Sequence, residues 1–256
     1  MTQSARRVGL VLPALNEEAA LALVLAELPA GAVDRVVVVD NGSTDRTAEV
    51  ARAGGAEVVW EPRRGYGRAC LSGIAHLLET GDALSDADVI VFLDADHSDY
   101  PADLEHLLAP LDRFEAEFVV GSRVLGGATM EALLPQAWFG NRLATTLMRL
   151  FFGARYTDLG PFRALRVGTL RALAMRDETF GWTIEMQLKA HGRGVRTVEV
   201  PVRYRPRIGT SKITGTVSGT VRAGTKILGW IVWWRLQPRH VREGRAPRRS
   251  RGRQSS

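Results

Sequence analysis

Along the first half of the chain the apolar positions switch between two spacings. Short runs rich in β-branched residues read as strands: "RVGLVLPAL" (7–15), "RVVVVD" (35–40), "AEVVWE" (56–61), residues 88–93 and residues 117–121. Between them "EEAALALVLAELP" (17–29), "STDRTAEVARAG" (43–54), "GRACLSGIAHLLETG" (67–81) and residues 102–112 carry the spacing of helices. Ser43 or Thr44 is expected to cap the second of these, with acids in its first turn. Strands alternating with helices predict an α/β domain, a mostly parallel sheet covered on both faces. In such sheets ligands bind beyond the carboxyl ends of the strands. Three of those ends carry polar groups here: Asn16 with Glu17, Asp40 with Asn41, and Asp94 with Asp96.

The second half is less regular. "FGNRLATTLMRLFFG" (139–153) and "WTIEMQLKAHGRG" (182–194) predict helices, "TDLGPFRALR" (157–166) a loop, and "VRTVEVPVRYRPR" (195–207) a strand limited by Pro201. There is no internal repeat. The expected organisation is one catalytic-type domain over residues 1–215, an amphipathic helix over 216–236, and a disordered arginine-rich tail over 237–256.

Composition narrows the class. A chain of 256 residues, 45% hydrophobic and 24% charged, can bury a substantial core. One cysteine, Cys70, excludes an internal disulfide. The first apolar run meets Asn16, Glu17 and Glu18 too soon for a signal peptide, and no stretch supplies the roughly 20 apolar residues that span a bilayer. A cytoplasmic location, free or at the membrane's cytoplasmic face, is expected.

The net charge of +6 is concentrated in eight arginines between Arg235 and Arg253, which leaves the body near neutral. "TVRAGTKILGWIVWWRLQPR" (220–239) sets tryptophans beside basic residues. Such a helix either lies in a membrane interface or packs on the protein's own core. The arginines that follow favour an anionic membrane surface. Nucleic acid is a poorer partner, because the basic run has no aromatic interleaving.

"FLDADHSDYP" (92–101) carries the chemistry. Residues two apart at a strand end point the same way, so Asp94 and Asp96 can converge. Two carboxylates about 4 Å apart repel by roughly 1 kcal/mol in water and about 4 kcal/mol at an effective dielectric of 20. A shared proton, basic neighbours or a divalent cation must offset that. An oxygen-rich, open site suits Mg2+ or Mn2+ that also holds a diphosphate. Asp99 is expected to cap the helix beginning near Pro101, for which Asp94 lies too far upstream. "GYGRAC" (65–70) fits a glycine-eased turn before a helix, with Arg63, Arg64 or Arg68 near a ligand, better than a dinucleotide fingerprint, whose last glycine it lacks. The five histidines have no zinc-like spacing with Cys70.

"VLPALNEE", "VVVVDNGSTDRT", "RGYGRACLSGI", "FLDADHSDYP", "VVGSR", "TDLGPFRA", "GWTIEMQLKAHGRG" and "VEVPVRYRPRIGTSK" occur in the order of glycosyltransferase family 2. Over residues 7–215 the chain resembles that family's polyprenyl-phosphate (dolichyl-phosphate) mannosyl- and glucosyltransferase branch. The resemblance implies a GT-A fold, a nucleotide-sugar donor, Mg2+ or Mn2+, and inversion at the anomeric carbon. It places Pro13, Leu15 and Glu17 around the nucleoside and Asp40 on base or ribose. Asp94 and Asp96 match its D-x-D pair, Asp96 being the direct metal ligand.

The same resemblance gives phosphate contacts to Arg123, Arg207 and Lys212, with Ser211 in a loop able to close over donor or acceptor. Arg163 is a further phosphate candidate, or a partner of a surface acid. Glu185 and Asp158 are candidate bases, or residues that cap and orient. A phosphate acceptor is already an anion and needs little base catalysis, whereas a hydroxyl acceptor needs a base. The implied acceptor is polyprenyl phosphate, with a soluble hydroxyl as the alternative. A sugar nucleotidyltransferase would need a glycine-rich basic loop after the first strand, and "PALNEEAA" is acidic. A non-catalytic nucleotide-binding protein would not need the converging acids.

Overall fold

The computed structural model describes residues 6–128, 135–209 and 217–244. Its strands are β1 (Val8–Ala14), β2 (Arg35–Asp40), β3 (Glu57–Trp60), β4 (Val89–Phe92), β5 (Phe118–Ser122), β6 (Arg163–Arg166) and β7 (Thr197–Pro201). The helices in the first half are α1 (Glu18–Ala26), α2 (Thr47–Ala53), α3 (Tyr66–Glu79) and α4 (Leu104–Asp112). Those in the second are α5 (Pro135–Phe152), α6 (Val167–Leu173), α7 (Trp182–Gly192), α8 (Val217–Leu236) and α9 (Arg239–Arg242). The strands form one sheet in the order β3-β2-β1-β4-β6-β5-β7. All pairings are parallel except those of β6, which runs antiparallel to β4 and β5. The α/β expectation holds.

Alternation along the strands divides the core. Leu10 and Leu12 of β1 face one side with Val38, Val91 and the Leu104, Leu107 and Leu111 stripe of α4. Val11 faces the other with Val37, Ile90 and Phe92, against α3 and α7. There Phe92 meets Trp182 edge to face, ring centres 5.8 Å apart. A satellite core joins Met148 of α5, Leu188 of α7, and Ile231 and Trp234 of α8. One face of α8 therefore packs on the protein, while Val232, Trp233 and Leu236 stay exposed.

Four expectations change. The end of "TDLGPFRALR" is strand β6 rather than loop, because β4 and β5 offer it hydrogen-bonding edges on both sides. Asp45, not Ser43 or Thr44, serves the start of α2: its Oδ1 accepts from the Thr47 amide at 3.0 Å. Asp99 caps nothing; both its carboxylate oxygens are buried without a hydrogen-bond partner. Within the tail, α9 forms where the Arg242 backbone packs against Gly192 at the end of α7. The rest of that tail, residues 245–256, lies outside the described residues.

Candidate active site

β1 has β2 on one side and β4 on the other, so the chain reverses its winding direction there. The crevice at such a point is where open α/β sheets bind ligands. A cavity of about 350 Å³ occupies it. Pro13, Leu15 and Glu17 reach it from the end of β1, Asn41 from β2, Asp94 and Asp96 from β4, and Arg207 from the segment after β7. Eight residues singled out in the sequence thus meet at one point: Pro13, Leu15, Glu17, Asn41, Arg64, Asp94, Asp96 and Arg207.

The electrostatics centre on three acids and one arginine. Arg207 bridges two of the acids, with Nη1 3.0 Å from Asp96 Oδ2 and Nη2 donating to Glu17 Oε1 at 3.0 Å. The other Asp96 oxygen accepts from the Ser98 amide at 3.0 Å and the Ser98 hydroxyl at 2.6 Å. Among the described residues Asp94 accepts one bond, from the Tyr66 hydroxyl at 3.0 Å. Burial first, then the neighbouring Asp96 charge, push the Asp94 carboxyl up to about 7. Asp99, behind the pair, is pushed well above the carboxylate range by burial and then by Asp94. The cleft lining thus sets Glu17, Asp94 and Asp96 beside two arginines, Arg207 and Arg64.

The local sequence explains how the walls are fixed. Asn41 donates to the carbonyls of Glu61 at 3.0 Å and Arg63 at 2.8 Å, and accepts from the Gly65 amide at 2.8 Å. Residues 177–180 form the facing wall by lying across the start of α3, where the Gly67 and Arg68 amides donate to Thr179 and Glu178 carbonyls. A side chain at Gly65 or Gly67 would collide with the Glu178 or Asp177 carbonyl. That close approach is what the "GYG" turn provides. With those amides already bonded, it is no phosphate cradle.

Several candidates stand elsewhere. Asp40 is buried and uses its Oδ1 to accept from the Ser43 amide at 2.8 Å; Asn41, the other polar group at that strand end, takes the place on the wall. Arg123 and Asp158 are committed to each other: the guanidinium donates through Nε at 2.8 Å and Nη2 at 2.7 Å, and the Arg123 amide adds a third bond at 2.9 Å. Burial raises Asp158, but the Arg123 charge and these bonds bring it below the ordinary value. So held, Asp158 is a poor proton acceptor and Arg123 a poor phosphate ligand.

Glu185 accepts from the Arg176 amide at 3.0 Å and the Asp177 amide at 2.7 Å, and pairs with Lys189 at 2.6 Å. It positions the 176–177 backbone instead of facing the cleft as a base. Arg163 is fully buried, donating to the carbonyls of Thr183, Leu159 and Gly160. It staples a turn and pairs with no acid among the described residues. Ser211 and Lys212 lie outside the described residues. Tyr66, Thr179 and Phe180, all on the cavity wall, were missed. Of these only the aromatic in "GYG" left any trace in the sequence.

Among the described residues no group of three or more His, Cys, Asp and Glu side chains could hold a metal. Asp94 and Asp96 still suit one: two hard oxygen donors on the wall of an open cleft match an ion that takes its remaining ligands from water and a diphosphate.

The profile of glycosyl transferase family 2 matches residues 10–173. A glycosyltransferase of Mycobacterium tuberculosis, named as uncharacterized, is 38% identical over 221 residues, 84% of this chain and 94% of its own. The undecaprenyl-phosphate mannosyltransferase of Micrococcus luteus is 30% identical over 89% of this chain and 96% of its own. The dolichyl-phosphate hexose transferase of Haloferax volcanii is 32% identical over 83% and 89%. Among solved structures, glucosyl-3-phosphoglycerate synthase from Mycobacterium tuberculosis in complex with Mn2+, UDP-glucose and phosphoglyceric acid superposes with a TM-score of 0.67. It is 24% identical and covers 90% of this chain and 81% of its own. The likeness establishes the GT-A fold.

Proposed function

This chain belongs to glycosyl transferase family 2, and from that premise we propose that it moves a hexose from a nucleoside diphosphate sugar to a polyprenyl phosphate, with inversion, at the cytoplasmic face of a membrane. The observation that carries the reading is the meeting of Glu17, Asp94, Asp96 and Arg207 in one cleft at the reversal point of the sheet. Pro13 and Leu15 give the nucleoside an apolar wall, and Arg207 sits where a diphosphate can take over its charge from the acids. Asp94 and Asp96 would hold Mg2+ or Mn2+, which when bound neutralises charge on the donor's diphosphate.

Transfer forms a bond from an acceptor oxygen to the anomeric carbon as the sugar's bond to the diphosphate breaks, the electron pair leaving with the diphosphate. The fates of Asp158 and Glu185 bear on the acceptor. Both candidate bases are engaged, one with Arg123 and the other with Lys189 and two backbone amides. An acceptor that is already ionised, as a phosphate is at neutral pH, needs neither. The named relatives above act on undecaprenyl and dolichyl phosphates, in agreement.

No helix among the described residues is long and apolar enough to cross a membrane. The exposed Val232, Trp233 and Leu236 of α8, with Phe139 and Leu150 of α5, supply an apolar face for a lipid surface.

Thermal unfolding against UDP, GDP, dTDP and CMP, each with and without Mn2+, tests the donor half. A nucleotide at 100 times its dissociation constant adds about 2.7 kcal/mol, or roughly 5–10 °C. A Mn2+-dependent shift for one nucleoside diphosphate is expected. No shift with any of them would defeat the reading.

A further inference from the structure

A second and larger cavity, about 840 Å³, lies between the 174–179 segment, α7, α8 and α9. Its size falls in the range of ligand pockets. None of Glu17, Asp94, Asp96 or Arg207 lines it, so it is a different place from the donor cleft.

Its charges do not balance. Lys189 is paired with Glu185 at 2.6 Å, Lys226 with Asp177 at 2.9 Å, and Glu178 with Arg68 at 2.8 Å. That leaves Arg176 and Arg193 on the wall, neither with an ion-pair partner among the described residues. Arg193 Nε is buried without a hydrogen-bond partner. Arg176 and Arg193 line the same cavity, and burial, then the Arg176 charge, press Arg193 below its ordinary value. Glu185, the acid that acts on Arg193, is already neutralised by Lys189. Two guanidiniums on the wall of one cavity, neither ion-paired among the described residues, form a receptor for a doubly charged oxyanion.

The other wall is aromatic. Trp230 and Trp233 stand edge to face, ring centres 4.8 Å apart, with Trp234 6.0 Å from Trp233. Trp230 is fixed by donating to Asp177 Oδ2 at 2.6 Å, while Trp233 is half exposed, beside the apolar outer face of α8. Aromatic rings of this kind favour places where one end of a ligand is apolar and the other wet.

We propose that this cavity binds a phosphate group carried on an apolar chain, the phosphate on Arg176 and Arg193 and the chain along Trp230 and Trp233. The site needs neither sugar nucleotide nor metal and stands apart from the transfer reaction. Asp177, Lys226 and Trp230 are unsuited to test it, because Asp177 also holds the Thr179 and Gly181 amides, at 2.8 Å and 3.1 Å, and Thr179 lines the donor cleft. Arg176 and Arg193 are free of that duty.

The full chain is titrated with octyl phosphate below its micelle concentration, with inorganic phosphate and with octyl glucoside, followed by tryptophan emission. Octyl phosphate is expected to bind saturably and at least 10-fold more tightly than the other two. Arg176→Gln with Arg193→Gln should weaken it at least 10-fold, with nucleotide affinity and unfolding midpoint unchanged. Arg176→Gln alone, an exposed position, should weaken it at least threefold. Asp96→Ala, which disables the donor cleft, should leave it intact, separating this site from the transferase reading. Inorganic phosphate binding as tightly as octyl phosphate would mean a free anion is the ligand. Octyl glucoside binding as tightly would mean only apolar contact. Either result, or unaltered octyl phosphate binding in the variants, overturns the proposal.

Discussion

Replacing Asp94 by Asn removes a charge that the fold resists, so it should stabilise the protein while disabling the cleft. The Asp94 carboxyl is pushed up to about 7 by burial and by Asp96, against an ordinary value of about 3.9. Between those limits the folded protein keeps a proton that the unfolded chain has lost. Stability therefore falls as pH rises from about 4 to about 7, and is level above. Some three pH units at 1.36 kcal/mol each set a ceiling of about 4 kcal/mol. Water at the open side of the half-buried carboxyl lowers this, and about 2 kcal/mol is the working figure.

Asn cannot ionise, and its carbonyl oxygen can still accept the Tyr66 hydroxyl. In EDTA, the gain from Asp94→Asn should be near zero at pH 4 and about 2 kcal/mol at pH 8, or roughly 4–8 °C in unfolding midpoint. Paired thermal melts across that range provide the assay. A gain equal at pH 4 and pH 8, or a loss at both, would refute the assignment of strain to the Asp94 charge. The same variant should lose transfer, as a functional site that costs stability would.

Arg207→Ala should weaken nucleoside diphosphate binding about 10-fold by calorimetry, because the cleft loses the guanidinium that bridges Glu17 and Asp96 and can pass to the donor's phosphates. Asp158→Ala leaves the Arg123 guanidinium buried and unpaired, and should cost about 3–5 kcal/mol in urea unfolding; a loss under 1 kcal/mol would contradict the buried-pair reading. Gly67→Ala drives a methyl into the Asp177 carbonyl, so the 177–180 wall must move. About 1–3 kcal/mol of stability and a measurable share of nucleotide affinity should go with it.

The parallel part of the sheet was legible because β1, β2 and β4 are continuous apolar runs ended by acids, a pattern that local periodicity carries on its own. β6 was not, since a four-residue strand after Gly160 and Pro161 owes its existence to partners over 70 residues away in β4 and over 40 away in β5. The same divide runs through the site. Asp94 and Asp96 announce themselves by interrupting a buried strand. Asp158, Arg163 and Glu185 look alike in sequence whether they face a ligand or a backbone turn, and only the fold shows the second. Thr179 and Phe180 carry no distinctive chemistry, so their place on the wall follows from how residues 177–180 cross the start of α3.

The most direct test of the central claim is transfer itself. The protein is incubated with Mn2+, undecaprenyl phosphate and radiolabelled UDP- and GDP-hexoses in turn, and label is followed into the organic phase. The account predicts that one donor gives a lipid-extractable product, dependent on undecaprenyl phosphate and lost in Asp96→Ala. Label that stays in the aqueous phase with every donor, while the folded protein binds the nucleotide, would contradict a polyprenyl phosphate acceptor.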